Sequence, residues 1–510
     1  MTPSDASKSK SATKLKALAR DEFGEPSEAE SRMLDAAATR GMAFCGEYSD
    51  LDHPSNAPAF SETGSPAAPL EPWGKDREIR AEVIRWLCAA EDAKKLLDPS
   101  GIHVIGARIV KPLNMTSLHI PVPIAFRHCR ILEPATFEAC ELESVDMEGT
   151  WTRDLNFSFA TVKHSLMLYR NFRADGQLDL RRIHIAQDLR LESALLLNPS
   201  GFALRGDGSN IGGYAFLRVE AFAPKKPTTT FGAVGTVSFL NAIINADLDC
   251  GGAQFHNPGK TALELGRSVI GGLLRLSSGS GFEFHSEGMV DLRLCHCRSF
   301  EDDMDHWPPG NQLRLDGFVY DSASGNGWDA ATRQIWLNLD RSPATQPYRQ
   351  LAKVLSDSGD EEGARQVLIA MEDKLALREP LVKRVPKRVF QGFIGYGYRP
   401  GRAAWGLAGV TTLGAILYWH FDRKQKIIPT EKEAAAAFKT KEPLPDHYPK
   451  FQPVIFSLEN TFPLVKLGQV DKWQTLQKSR LRWIVWIQVL LGWLLATLFL
   501  AGVSGLVQQR

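Results

Sequence analysis

From residue 101 to about 325 the chain alternates short apolar and polar stretches, with φ-x-φ triplets separated by two or three polar residues. One frame, with apolar positions at offsets 0, 2, 5, 7, 11 and 13, can be laid down seven times. Its copies start at Ile102, Ile124, Leu155, Leu178, Val237, Leu263 and Val290, and the last runs out at Glu301 and Asp303. Of its 42 positions 39 are apolar, where a 44% apolar composition would give about 18. A φ-x-φ triplet makes a short strand with one face turned inward. Stacking such coils buries the inward residues in one column and pairs each backbone with the next coil. The starts lie 22, 31, 23, 59, 26 and 27 residues apart, so a coil takes roughly 20–27 residues. The 59-residue gap then holds one more irregular coil and an insertion around Lys225–Thr230. The alternative is an antiparallel sandwich, and scarce Asn-Gly hairpin signals disfavour it.

The flanks carry other patterns. Residues 1–75 are rich in Ser, Pro, Ala and charge and are expected to be mostly disordered, with a short helix over Glu28–Gly41. Apolar residues at helical spacing (Ile79, Val83, Trp86, Leu87, Ala90) predict a capping helix within 76–100, ended by Asp98-Pro-Ser-Gly101. After the solenoid (101–325), residues 340–380 predict a helical hairpin with facing stripes from Tyr348, Leu351, Leu355, Ala364, Val367 and Leu368. A lone hairpin cannot bury its own faces, so it should cap the solenoid or mediate self-association.

The last hundred residues change character. Ala403–Phe421 (19 residues) and Trp483–Val507 (25 residues) contain no Asp, Glu, Lys or Arg. A helix needs ~20 apolar residues to cross a ~30 Å hydrocarbon core, so both are predicted transmembrane helices. Between them, in the loop 422–482, Phe451–Leu467 is too short to span and reads as a half-helix opened by Pro453 and stopped by Pro463. It is either re-entrant or interfacial. Upstream, the juxtamembrane segment 381–402 carries Lys383, Arg384, Lys387, Arg388, Arg399 and Arg402 and no acid. These are candidate lipid-headgroup contacts and place the N-terminal side in the cytoplasm. The topology is N-in, C-in, with 422–482 outside, although that loop holds 12 Lys/Arg against seven Asp/Glu.

Composition adds bounds. The chain has 510 residues with 60 basic and 59 acidic side chains, so no global charge draws it to nucleic acid. Seven cysteines make no disulfide framework, and the N-terminus lacks the apolar stretch of a secretory signal, so the bulk of the chain is expected in the cytoplasm.

The helix Arg-Ala-Glu-Val-Ile-Arg-Trp-Leu (80–87), the first coil Gly-Ile-x-x-x-Gly-Ala-x-Ile (101–109), the roughly five-residue faces and the two-helix tail resemble a group of bacterial membrane-anchored proteins. These are pentapeptide-repeat-like β-solenoids, and some carry the label "membrane-associated oxidoreductase". The resemblance covers residues ~76–510. It implies architecture: a mainly β, right-handed parallel β-solenoid, then a helical hairpin and a two-helix transmembrane domain, in the bacterial inner membrane.

Within the half-helix, Ser457, Glu459, Asn460, Thr461 and, beyond it, Lys466 are pore or re-entrant candidates, because carboxylates and helix ends at membrane depth attract ions. The layout resembles the pore helix of two-helix cation channels, but Pro463–Gly468 lacks the selectivity sequence. Gln488, inside the second span, bonds across helices or lines a pore. Gly406, Gly409 and Gly502–Gly505 offer close-packing faces.

Catalytic signals are thin. Cys295-His296-Cys297 falls on inward frame positions and reads as buried core, as do Cys129 and Cys140, so no metal site is expected. Gly206–Gly213 reads as a corner loop, and Glu301–Asp305 as an acidic loop where the repeat decays. No catalytic residue or cofactor is expected. The expected function is a membrane-anchored scaffold that binds a protein partner on its solenoid. The alternatives are an oligomeric, channel-like or membrane-perturbing effector gated by the solenoid and, third, a membrane-associated oxidoreductase. Membrane lipid and further copies of the chain are the other expected partners.

Overall fold

The computed structural model describes residues 3–46, 49, 73–220, 229–308, 310–377, 380, 401–445, 447–462, 464–476 and 481–503. It forms two compact units, Met1–Ala364 and Arg365–Arg510.

The first unit is a parallel β-solenoid. Leu113, Ala135, Leu155, Leu178, Leu204, Val237, Leu263, Val290 and Leu313 stack rung on rung in parallel register, marking nine coils. A second column runs Ile102, Ile124, Val145, Leu166, Leu189, Ala215, Leu248, Leu274. All of these side chains are buried. The expected 59-residue gap contains the coil that begins at Leu204.

Each coil turns a corner four residues after the first column. Ser117, Ala139, Phe159, Arg182, Asn241, Arg267 and Leu294 all adopt left-handed backbone there, with φ between 52° and 60°. A polar side chain one residue after the column position prepares the turn in most coils. Asn114, Thr136, Asn156, Asp179, Ser238 and Asp291 each accept a hydrogen bond from the backbone N–H two residues on. This local bond offsets the steric cost of left-handed geometry at non-glycine residues.

Two details differ from the sequence frame. Leu155 stacks on Ala135, not on Ile124, so the third frame copy begins on a different face from the first two. The faces carry the same φ-x-φ pattern, so periodicity leaves the phase open. The repeat also does not decay at Glu301. A one-residue slip between Ile270/Cys297 and Leu273/Ser299 turns Phe300 and Asp302 inward where the frame expects 301 and 303. Residues 301–303 therefore continue a strand, His296–Asp303, and are not a loop.

Residues 3–46 are ordered, unlike the expected disorder. Helices α1 (Pro3–Phe23) and α2 (Glu28–Thr39) pack together, and Ala43–Phe44 pairs in parallel with Val104–Ile105 of the first coil. Ser27 and Glu30 form a capping box at the start of α2. Glu30, 1% exposed, also takes the Arg80 guanidinium at 2.7 Å. The expected capping helix is split. Strand Glu78–Arg80 joins the sheet, then α3 (Ala81–Ala89) and α4 (Glu91–Lys94) meet at Ala90.

The other end is closed by α5 (Ala330–Leu339) and α6 (Gln346–Asp357). Asp302 and Arg333 are both 0% exposed and paired at 2.7 Å. Trp307 Nε1 donates to the same carboxylate at 2.6 Å, and the guanidinium lies 3.7 Å from the Trp328 ring centroid. Side chains then satisfy the last coil's backbone. Asp340 accepts from Leu315 N, Gln346 accepts from Gly317 N, and Gln350 donates to Tyr320 O. Helix α7 (Glu361–Ala376) follows.

The second unit holds α8 (Gly401–Asp422), α9 (Lys432–Thr440), α10 (Pro453–Thr461), α11 (Gln469–Lys472) and α12 (Leu481–Val503). Ile427–Pro429 and Trp473–Thr475 form a small antiparallel ribbon. Among the described residues one helix, over Leu481–Ala501, is long and apolar enough to cross a membrane. Helix α8 has the length, but glycine, threonine and histidine dilute its apolarity.

Two outcomes follow from the caps. Arg333→Met should destabilise the protein by about 3–5 kcal/mol, because it strands a buried carboxylate, and adding Asp302→Leu should restore much of the loss. Denaturant midpoints of the full chain check this. Burial alone would raise the Glu30 carboxyl, but bonds from Arg80 and from the Arg80 and Ser27 backbones hold it below its ordinary 4.5. A depressed carboxyl stabilises above its unfolded pKa and loses that contribution as pH falls through the folded value. Melting temperature should therefore drop below about pH 4.5, and Glu30→Gln should flatten that part of the profile while lowering stability at pH 7.

Candidate functional site

The half-helix expected at 451–467 becomes α10, and it does not rest on the surface of its unit. It is inserted between α8 and α12, packing against both. Pro453 starts it, where a missing N–H costs nothing. Two glycines make room. A Cβ on Gly414 of α8 would lie 2.4 Å from Ser457 Oγ, and one on Gly492 of α12 would lie 2.1 Å from the Thr461 carbonyl oxygen.

Polar groups lock this insertion. Gln488 Nε2 donates to Ser457 Oγ at 2.8 Å and to Thr461 Oγ1 at 2.9 Å. Its Oε1 accepts from Tyr418 Oη at 2.5 Å, and Ser457 Oγ donates to the Thr411 carbonyl at 2.7 Å. One amide thus joins three helices. Gln488, Ser457 and Thr461 are buried, so the network replaces the hydrogen bonds that water would supply.

Beyond Phe462 the chain reverses. Its returning limb is held by Glu459, which is 6% exposed. That carboxylate accepts the backbone N–H groups of Leu467, Gly468 (2.6 Å), Gln469 (2.8 Å) and Val470 (2.6 Å). Gly468 sits at φ 88°, a conformation that favours glycine. The Gln469 side chain then reaches back to the start of α10, accepting from Gln452 N at 3.0 Å and donating to Lys450 O at 3.2 Å. The segment is therefore a hairpin, one limb helical and one irregular, that enters and leaves on the same side.

At 1.5 Å per residue, Gln488 lies about 10 Å and Gly492 about 16 Å along α12 from Leu481. The turn goes deeper. Phe462, Leu464 and Val465 line a cleft of about 340 Å³ with Leu407, Thr497 and Leu500. Leu500 is about 28 Å along the helix. Leu464 is 84% exposed, and Val465, Lys466, Leu467 and Val470 are exposed with it.

The entrance carries an aromatic cluster. Phe456 packs edge-on against Tyr418 and tilted against Phe451, while Trp473 meets Phe451, Tyr448 and Phe438. The Tyr448 hydroxyl accepts from Thr430 N at 3.1 Å and donates to the Lys472 carbonyl, which ties the ribbon to this cluster.

The structure brings Ser457, Thr461 and Gln488 together, as a lock inside the unit. Glu459 serves the returning limb, and Asn460 Nδ2 donates to the Phe456 carbonyl within its own helix. Lys466 stands outward on the limb, and Arg402 is exposed at the start of α8. Lys383, Arg384, Lys387, Arg388 and Arg399 lie outside the described residues. Tyr418, Gly414, Gly492 and Gln469 are absent from the sequence candidates. Gly492 could have been found as the one glycine inside the long apolar run up to Ala501. In the solenoid, Cys295 and Cys297 point inward and His296 outward, and burial pushes the Cys295 thiol up to about 12.

No family model, curated protein or solved structure matches this chain.

Gly492→Leu should expel the hairpin. Glu459→Ala should strand four N–H donors and cost about 3 kcal/mol or more, with Glu459→Gln falling between it and the native protein. Thiol labelling of a Ser457→Cys reporter in detergent-solubilised protein checks both: protected in the native background, reactive in these variants.

Proposed function

We propose that the second unit is a membrane domain of two antiparallel spans enclosing a re-entrant hairpin, and that several copies assemble around the returning limbs to form a conduit. One observation carries this reading: irregular backbone reaches far along a helix of membrane-spanning length while its outer side, Leu464–Leu467, is uncovered among the described residues. Non-helical backbone at membrane depth is tolerated where protein buries it or where it lines a water-filled cavity. Among the described residues a single copy provides neither for the limb from Leu464 to Leu467, whose side chains are all exposed. Neighbouring copies would provide both.

Other features agree. Gly406 of α8 packs against Leu495 and Gly414 against Gln488, so α8 runs antiparallel beside the apolar α12. Trp405 and Trp419, about 21 Å apart along α8, fit the two interfacial belts of a span. The basic residues before α8 fit a cytoplasmic N-terminal side. A simple anchor needs one apolar helix. It needs neither Gln488 nor the four bonds at Glu459.

The scaffold reading retains one specific support. Ile243 and Val269 stack outward on adjacent coils, 45% and 44% exposed, and Leu294 at a nearby corner is 57% exposed. This apolar strip suits a protein partner, and in our reading such a partner would act on the conduit. Thiol redox chemistry does not suit the chain, because all seven cysteines are buried.

Light scattering of purified protein in nanodiscs should give an oligomer, and planar bilayers should show discrete conductance that Gly492→Leu abolishes. A silent monomer would leave only the anchored scaffold.

A further inference from the structure

We propose that the conduit selects small inorganic anions, with the Lys466 ammonium as the group a passing ion meets. The inference rests on the pore reading above and adds the sign of the charge.

The apolar parts of α8 and α12, Ala403–Phe421 and Trp483–Val503, carry no Asp, Glu, Lys or Arg. Two charges remain on the hairpin between Phe451 and Val470, Glu459 and Lys466. They stand in opposite situations. Both carboxylate oxygens of Glu459 are occupied by backbone N–H groups, and the side chain is 6% exposed. It has no free face for a cation. Lys466 is exposed between Val465 and Leu467, and no ion pair involves it among the described residues.

A free ammonium at this depth is costly against lipid, and such groups mark aqueous or ion pathways. Its chain neighbours Val465 and Leu467 are apolar and offer no counter-charge. Helix α10 does point its C-terminal end at the turn, which favours cations by about half an elementary charge. That end is partly consumed, since the Ser457 carbonyl accepts from Gln488 and the Leu458 carbonyl from Phe462 N. The four N–H donors at Glu459 likewise offset much of its field locally. What a hydrated ion can touch is one full positive charge per copy. A ring of such charges in a low-dielectric wall raises the local concentration of counter-ions by tenfold or more, on the order of the focusing seen in charged clefts.

The test is the reversal potential of the purified full chain in planar bilayers under a tenfold potassium chloride gradient. Native protein should reverse on the chloride side, with a chloride-to-potassium permeability ratio several-fold above one. Lys466→Arg should keep that ratio, Lys466→Gln should bring it near one, and Lys466→Glu should invert it. Melting temperatures should stay unchanged, since the side chain is solvent-facing. A conducting native protein that prefers potassium overturns this inference and leaves the conduit standing. So does a ratio unmoved by Lys466→Glu. A silent native protein overturns the conduit and this assignment together.

Discussion

The structure depends throughout on one constraint: backbone N–H and C=O groups removed from water must find partners. In the solenoid each coil serves the next, and the difficulty is confined to the ends. At the N-terminal end Ala43–Phe44 adds a last rung. At the other end Asp340, Gln346 and Gln350 stand in for a missing coil by bonding its backbone directly. Open edges of this kind would otherwise pair with other chains. In the hairpin the same demand falls on a few side chains. Glu459 does for the returning limb what a neighbouring coil does for a strand.

Much of the solenoid was legible in the sequence, because burying one face of a strand imposes a period that apolar residues reveal. The phase was not legible, since several faces obey the same pattern, and Leu155 could stack on Ala135 or on Ile124 with equal apolar agreement. The final coil fades in the sequence pattern for a related reason. One slipped residue moves the inward set from 301 and 303 to Phe300 and Asp302, and an inward aspartate looks like a loop until Arg333 is found against it. Order at the N-terminus was hidden in the same way. Ser27 and Glu30 mark a helix start, but the ion pair that docks α2 comes from Arg80, 50 residues on.

In the second unit the pattern of segments was legible and the insertion was not. A short apolar helix between two longer ones has the same composition whether it lies on a membrane or between its neighbours. What decides is a set of small and polar residues on three separate helices: Gly414, Ser457, Thr461, Gln488 and Gly492. Each is unremarkable alone. Only their coincidence makes a notch with a donor at its base.

This division of labour changes how charge in the hairpin should be read. A carboxylate near a half-helix end suggests an ion ligand while the backbone is left out of account. Once the limb's N–H groups are counted, Glu459 is needed where it is, and removing it would cost the hairpin before it altered any ion. A group that touches ions has to be one the fold can spare. Lys466 meets that condition, because it bonds nothing among the described residues and its neighbours hold the limb without it. The hairpin thus separates the charge that builds it from the charge left free to act.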